Sequence, residues 1–346
     1  MQLSAPDLIA ALADGRFHNG DELGARFNVT RAGIWKAVHR LADFGLEVHS
    51  VRGKGYRLSE PLTLLDANAI TRNLSVTNQA RVQELEILPV VDSTNAHALR
   101  RAQQRTLALG AGQVYVCMSE MQTAGKGRRG RQWVSPFGHN LYLSVLREFT
   151  SGAGSLEGLS LVIGIALVNA LQEWGFAGLG LKWPNDVLWN EHKLAGILIE
   201  ITGDVAGTCQ VVIGIGLNLR LKSDTMREVE QPWISLAQLG FAQQDRNRLF
   251  GRIIDRVLTA LERFQATGFG AFADDWNRLD VSAGRQVELS GATGTVTGLG
   301  LGVDAGGALL LDTSSGVRRF QGGEVTLRAV DAAPVVTPAP AEGQRL

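Results

Sequence analysis

Two changes in the spacing of the apolar residues divide this chain. Up to Pro61 they recur at helical intervals, from about residue 63 to 280 strand and helix patterns alternate, and beyond Asp280 only short glycine-rich β segments follow. At 346 residues the chain exceeds one ordinary domain of about 150 residues. The expected units are therefore a head at 1–61, a central domain at 62–280 and a small β domain at 281–330, with a Pro- and Ala-rich tail at 331–346 expected to be disordered. The fold class expected is α+β: an amino-terminal helix-turn-helix with a wing, a central mixed sheet with helices packed on one side, and a small carboxy-terminal β-barrel.

In the head, Leu8, Ile9 and Leu12 share one helical face, and Leu23 and Phe27 mark a second helix that closes at Asn28-Val29. Thr30 can cap a third, in which Ile34, Val38 and Leu41 repeat. Val48 to Val51, a turn at Gly53-Lys54-Gly55 and Tyr56 to Leu58 read as a wing. The chain is neutral as a whole, with 34 basic and 34 acidic residues, yet residues 30–57 carry a net +4. Such local charge suits phosphate binding, which gains from counterion release. In that geometry Arg31, Lys36, His39 and Arg40 face the major groove and Lys54 the backbone or minor groove; a helical bundle used for dimerisation is the alternative.

The central segment reads as Val114 to Met118 and Leu141 to Leu146 (strands), Leu156 to Trp174 (a buried helix), a hairpin of Val187 to Trp189 and Ala195 to Ile201 turning at Asn190-Glu191-His192, a strand at Gln210 to Leu219, and an amphipathic helix at Leu249 to Phe264. Gly125-Lys126-Gly127-Arg128-Arg129-Gly130-Arg131 sets four cations among three glycines, which suits an anion: the backbone can converge N–H groups on it. It is no Walker loop, since neither Ser nor Thr follows the lysine; a solvated basic loop is the alternative. Asp186, after Lys182-Trp183-Pro184-Asn185, can hold a metal, orient an amine or simply shape a turn, and Lys193 lies across the hairpin from it. Ser93 or Thr94 can cap a helix.

The two cysteines, Cys117 and Cys209, are too few for a disulfide scaffold and read as inert strand residues. The amino terminus lacks a basic region followed by an apolar core, and Glu157, Ser160 and Asn169 interrupt the longest apolar stretch. A cytoplasmic protein without a membrane partner is the expectation.

Asp92-Ser93-Thr94-Asn95, Gln122, the Gly125–Arg131 loop with Trp133, Lys182–Asp186, Lys193–Leu198 and Gly214-Ile215-Gly216-Leu217-Asn218, in this order, resemble the bifunctional biotin protein ligases that are also biotin-operon repressors. The head resembles the winged helix of those proteins. The family loop usually reads Gly-Arg-Gly-Arg; Lys126 stands at its first arginine, keeping the charge and losing the bidentate fork.

The resemblance implies a biotin and ATP site, an SH3-like carboxy-terminal barrel, and two steps: formation of biotinoyl-5′-AMP, then transfer of biotin to a lysine of the biotin carboxyl carrier protein. By resemblance, Ser93, Thr94, Asn95 and Gln122 hold biotin. Lys126, Gly127 and Arg128 cover its carboxylate and the phosphates. Arg131, Trp133, Asn218 and Trp233 serve ATP and the adenylate. Lys193 pairs with the carboxylate or α-phosphate, and Asp186 orients or deprotonates the incoming amine; Lys193, Asp186 and Arg128 are the expected catalytic set. Mg²⁺ arrives with the nucleotide, with Asp186 as a further contact and no dedicated cage. Thr30, Arg31, Lys36, His39, Arg40 and Lys54 are the expected contacts to operator DNA, bound by a homodimer that the adenylate favours. A biotin-sensing repressor that does not turn over and a lipoate or octanoate ligase are the alternatives.

Overall fold

The computed structural model describes residues 3–329 apart from 105, 106, 108, 151, 205, 206, 222–225, 227, 228, 230, 292, 293 and 323–325; the expected tail at 331–346 lies outside the described residues. The head consists of α1 (Ala5–Leu12), α2 (Gly20–Phe27) and α3 (Arg31–His39), the last running into a 3-10 turn at Arg40–Phe44. Each helix starts where a short polar side chain accepts an otherwise unpaired amide: Ser4 from Asp7, Asn19 from Asp21, Thr30 from Gly33. Asn28 ends α2 in the left-handed region, at φ 53°. Leu8, Ile9, Leu12, Leu23, Ile34, Val38 and Leu41 are buried together, as their spacing requires. The wing is an antiparallel pair, β1 (Val48–Val51) and β2 (Gly55–Leu58).

The expected linker at Ser59–Pro61 is tied down. Ser59 N–H donates to the Glu47 carbonyl at 2.9 Å, Leu62 N–H to that of Ala13 at 2.8 Å, and Glu60 pairs with Arg220 at 2.6 Å. Phe137, from the loop before the third strand of the central sheet, inserts into the head's core. It is 2% exposed and meets Phe44 edge to face at 5.8 Å.

The central unit contains α4 (Ala67–Thr71), α5 (Val76–Arg81), β3 (Val82–Val91), α6 (Thr94–Gln103), β4 (Val114–Gln122), β5 (Leu141–Phe149), α7 (Leu159–Glu173), β6 (Leu179–Lys182), β7 (Asp186–Trp189), β8 (His192–Gly203), β9 (Cys209–Leu217), α8 (Arg246–Thr267) and α9 (Ala273–Leu279). Its strands form one mixed sheet in the order β3-β4-β5-β9-β8-β7-β6, with β3 and β4 parallel and every other pair antiparallel. Alternate residues of one face (Val116, Met118, Val145, Ile213, Ile215) pack on α7 and α8. Tyr115, Cys117, Leu146 and Val212 on the other face meet Ala98 and Ala102 of α6. Helices thus lie on both faces, not on one as expected: α6 is short and mostly polar in sequence, and its two alanines are what let it sit flat on the strands.

The buried helix begins at Leu159, not Leu156, because Gly158 adopts φ 78° and separates α7 from a 3-10 turn at Ala153–Leu156. The hairpin turn is Asn190-Glu191, both left-handed at φ 43° and 69°, so β8 starts at His192, earlier than expected. The stretch Gly154–Glu173 is long and apolar enough to cross a membrane, but 67% of it is buried inside this fold, with α7 packed on α8 and the sheet.

At the carboxy-terminal end, β10 (Gln286–Gly291), β11 (Gly294–Val303), β12 (Leu309–Thr313), β13 (Gly316–Phe320) and β14 (Thr326–Ala329) form an antiparallel sheet in the order β13-β12-β11-β10-β14. Val287, Leu289, Val303, Leu309 and Leu311 share the core of the central unit, and the Trp183 indole N–H donates to the Gly307 carbonyl at 3.2 Å. Cys117 and Cys209 are both buried and free, and burial pushes the Cys117 thiol up to about 12.

Candidate active site

The sequence Gly214-Ile215-Gly216-Leu217 lies in β9, where alternation sends Ile215 and Leu217 into the core and leaves Gly214 and Gly216 on the opposite face. Gly216 pairs with Gly196 of β8, and Gly214 with Ser144 of β5, giving a floor almost without side chains. Other groups come down onto it. A Cβ at Gly214 would lie 2.4 Å from Asn95 Oδ1, and one at Gly216 would lie 2.4 Å from the Trp133 ring. Above this floor is a cavity of about 920 Å³.

All the residues assigned to the ligase chemistry line that cavity: Ser93, Thr94, Asn95, Gln122, Lys126, Gly127, Arg128, Arg131, Trp133, Asp186, Lys193, Asn218 and Trp233. One wall is a polar network at the start of α6. Ser93 caps the helix by accepting the Ala96 amide. Thr94 Oγ1 donates to Gln122 Oε1 at 3.1 Å, and Gln122 Nε2 donates to Ser135 Oγ at 3.0 Å. Ser144 Oγ donates to Asn95 Oδ1 at 2.6 Å, and Asn95 Nδ2 donates to Glu200 at 2.8 Å. Ser93, Thr94, Asn95 and Ser144 are all buried, so this network can recognise urea- or amide-like groups without a competing hydration shell.

The basic loop is a small hairpin. Gly127 N–H donates to the Arg131 carbonyl at 2.7 Å and Trp133 N–H to that of Gly125 at 2.9 Å, with Arg129 and Gly130 left-handed at the tip. Arg128 reaches across to Asn185 Oδ1 at 3.0 Å, and Asn185 Nδ2 in turn donates to the Ile197 carbonyl at 2.9 Å. Burial draws the Arg128 guanidinium below its usual range, with Asp186 opposing.

Lys193 Nζ pairs with Asp186 at 2.8 Å and lies 5.6 Å from the Trp133 ring centroid. Its strand segment is clamped by the Trp233 loop: Lys193 N–H donates to the Pro232 carbonyl at 2.8 Å, and Ile234 N–H donates back to Lys193 at 3.0 Å. The Asn218 amide is spent on this clamp, donating to the carbonyls of Lys193 and Ile234. Its side chain therefore plays the part of a turn amide at the cavity wall.

Four cations of the lining, Arg129, Lys182, Arg285 and Arg328, have no individual role in the sequence reading. Lys182 pairs in register with Asp186, and burial pushes its ammonium down. Arg285 comes from the turn before β10 and Arg328 from β14, and no local pattern marks either as part of a site built from residues 93–233. With Lys126, Arg128, Arg131 and Lys193 they set eight cations against Asp186 and Glu191 around one cavity. Such a field neutralises a polyphosphate. Alanine at Gly216 would force the Trp133 ring off the floor; we expect adenylate formation to lose about tenfold in kcat/KM, in line with the 1–3 kcal/mol of an overpacked site. A steady-state assay of the G216A variant at varied biotin checks this.

On the head, Arg31, Lys36, His39 and Arg40 are exposed along α3, and Lys54 is exposed at the wing tip. Thr30 differs from the expectation of a groove contact in one respect: its hydroxyl accepts the Gly33 amide at 3.1 Å and so sets where α3 begins. Lys36→Ala should weaken binding to all duplexes alike and flatten the log K against log salt slope by about 1; a salt titration of DNA affinity measures both.

A small-residue floor, a buried polar wall and a cationic roof, joined to a winged helix, fit the class of acyl-adenylating ligases with a DNA-binding head. The chain belongs to the biotin protein ligase family, in its bifunctional ligase/repressor branch. It is 41% identical over 324 residues to the bifunctional ligase/repressor BirA of Salmonella typhimurium, a match covering 94% of this chain and 97% of that one. It is 40% identical to BirA of Escherichia coli with the same coverage. Residues 7–57 match the HTH domain, 88–218 the Biotin/lipoate A/B protein ligase family, and 283–328 the Biotin protein ligase C terminal domain. Among solved structures it resembles the biotin protein ligase from Aquifex aeolicus in complex with biotin and ATP (TM-score 0.60, 29% identity, 71% of this chain and 99% of that chain).

Proposed function

We propose that this chain joins biotin to ATP, passes the biotinoyl group to the biotin carboxyl carrier protein of acetyl-CoA carboxylase, and represses biotin synthesis through its head. Biotin protein ligase activity joined to a helix-turn-helix repressor is the function of the branch to which the chain belongs. The observation that carries the site assignment is the convergence of the amide-binding wall, the basic hairpin and the Asp186–Lys193 pair on one cavity.

In the first step a biotin carboxylate oxygen attacks the α-phosphorus and the bond to the β-phosphate breaks, releasing pyrophosphate. The nucleophile is the substrate itself, so the protein supplies alignment and charge neutralisation. Thr94, Asn95 and Gln122 orient the ureido end, with Ser93 as the helix cap that places Thr94 and Asn95. Lys126, Gly127 and Arg128 cover the carboxylate and α-phosphate, Lys193 bridges the two, and Arg131, Trp133, Asn218 and Trp233 shape the nucleotide side. In the second step the acceptor lysine amine attacks the acyl carbon, AMP leaves, and Asp186 takes the amine proton.

Magnesium enters through the resemblance alone. Among the described residues no three His, Cys, Asp or Glu side chains cluster, and Asp186 is already paired with Lys193. This donor set does not fit a protein-held cation; the ion belongs with the nucleotide.

The unit boundaries proposed are 61, 280 and 330, with the last unit an SH3-like barrel and the protein cytoplasmic. The adenylate-bound homodimer is proposed to form along β8, which outruns β7: pairing with β7 ends at Gly196, and Ile201 beyond it is 46% exposed. A gel-filtration series with and without biotin plus ATP, unchanged at micromolar protein, would count against this.

The activity itself is tested by biotin-dependent ATP–pyrophosphate exchange. Exchange with biotin but not with lipoate or octanoate is expected. Exchange with lipoate instead overturns the substrate, and none with any acid leaves a biotin-sensing repressor.

A further inference from the structure

Trp35 lies at the middle of α3 and is 51% exposed, beside the fully buried Ile34. Large aromatics left in water at a helix surface bury against something else when they have a purpose there. The helical period places Arg31, Trp35 and His39 on one stripe, at i, i+4 and i+8, with Lys36 and Arg40 on the stripe beside it. Trp35 and His39 lie a quarter turn or more from the middle of the face buried by Ile34, Ala37 and Val38, Arg31 borders that face and pairs with Asp21 of α2 at 3.6 Å, and Lys36 and Arg40 lie across the helix from it.

The indole is held in place. Its ring centroid is 4.0 Å from that of His39, and His39 Nδ1 donates to the Trp35 carbonyl at 2.8 Å. A side chain already fixed by its neighbour loses little further rotamer freedom when a partner covers it. The exposed charge on the next face of the helix is basic and so fits a phosphate backbone: Lys36 and Arg40 are both exposed there. Within a major groove the apolar feature that bases present is the thymine C5-methyl.

We propose that Trp35 is a base-reading residue of the head, packing its indole on one or two thymine methyl groups of each operator half-site, with His39 as the side chain that positions it. This rests on the DNA-binding reading of the head and adds to it a sequence preference carried by apolar contact.

The test starts from the full-length protein with biotin and ATP, selecting from a randomised double-stranded DNA library. The selected duplex is then remade with each thymine replaced in turn by deoxyuridine, which removes only the methyl group. At one or two positions per half-site the wild-type protein should bind about fourfold more weakly, the value of one buried methyl. Trp35→Ala should bind more weakly overall and lose that discrimination, whereas Trp35→Phe should retain most of it. Trp35→Ala should also melt at the wild-type temperature, because the ring supports none of the core. Equal wild-type affinity for every uracil duplex overturns the proposal, as does discrimination that survives in Trp35→Ala. Failure to enrich any duplex would instead bring down the DNA-binding reading, and this proposal with it.

Discussion

Replacing Lys193 by alanine should slow biotin-dependent adenylation by about 10²–10³-fold, the usual effect of removing one preorganised charge from a water-poor site. The ammonium is 2.8 Å from Asp186, lies over the Trp133 ring and is carried by a strand segment clamped on both sides by the Trp233 loop. None of this geometry has to be organised during the reaction. Removing Nζ takes away the charge proposed to bridge carboxylate and α-phosphate, and it also takes from Asp186 the ammonium it pairs with. The loss should therefore fall on the chemical step and on ATP affinity together. Pyrophosphate exchange at saturating biotin and varied ATP measures both. A variant retaining more than a tenth of wild-type exchange would remove Lys193 from the reaction.

Arg246→Met should lower the melting temperature by about 6–20 °C, from a loss of roughly 3–5 kcal/mol. Arg246 is fully buried, paired with the buried Glu120 at 2.6 Å, and donates to the carbonyls of Thr63 and Asn140 at 3.0 and 2.9 Å. Glu120 also accepts the Leu65 amide. Methionine fills much of the volume but strands a carboxylate in the core beside two unpaired carbonyls. Adding Glu120→Leu to Arg246→Met should recover only part of the stability, because it removes the stranded carboxylate but leaves the Thr63 and Asn140 carbonyls and the Leu65 amide unpaired. Thermal unfolding followed by circular dichroism decides; a single variant that melts like wild type would show that the pair contributes nothing.

The head was legible almost to the residue, because its signals are local: a cap at Thr30, a left-handed stop at Asn28 and glycines in the wing. The cavity was legible through five short motifs, and the structure brings all of them to one face. What escaped came from tertiary packing. The placement of α6 on the opposite face depends on alanines meeting strands far along the chain. Arg285 and Arg328 reach the site only because the carboxy-terminal sheet shares the central core. Asn218 showed its type and position but not its use, since a carboxamide at a strand end reads alike whether it holds a ligand or the Lys193 and Ile234 carbonyls.

The insertion of Phe137 into the head limits modularity. Only three residues lie between it and Trp133 of the cavity, and its ring meets Phe44 at the end of the 3-10 turn that follows α3. Severing the chain at residue 61 would release a catalytic unit with an uncovered phenyl ring and a loosened loop beside its own active site. Grafting another DNA-binding domain onto this ligase would accordingly require a matching socket for that ring, as well as a linker of the right length.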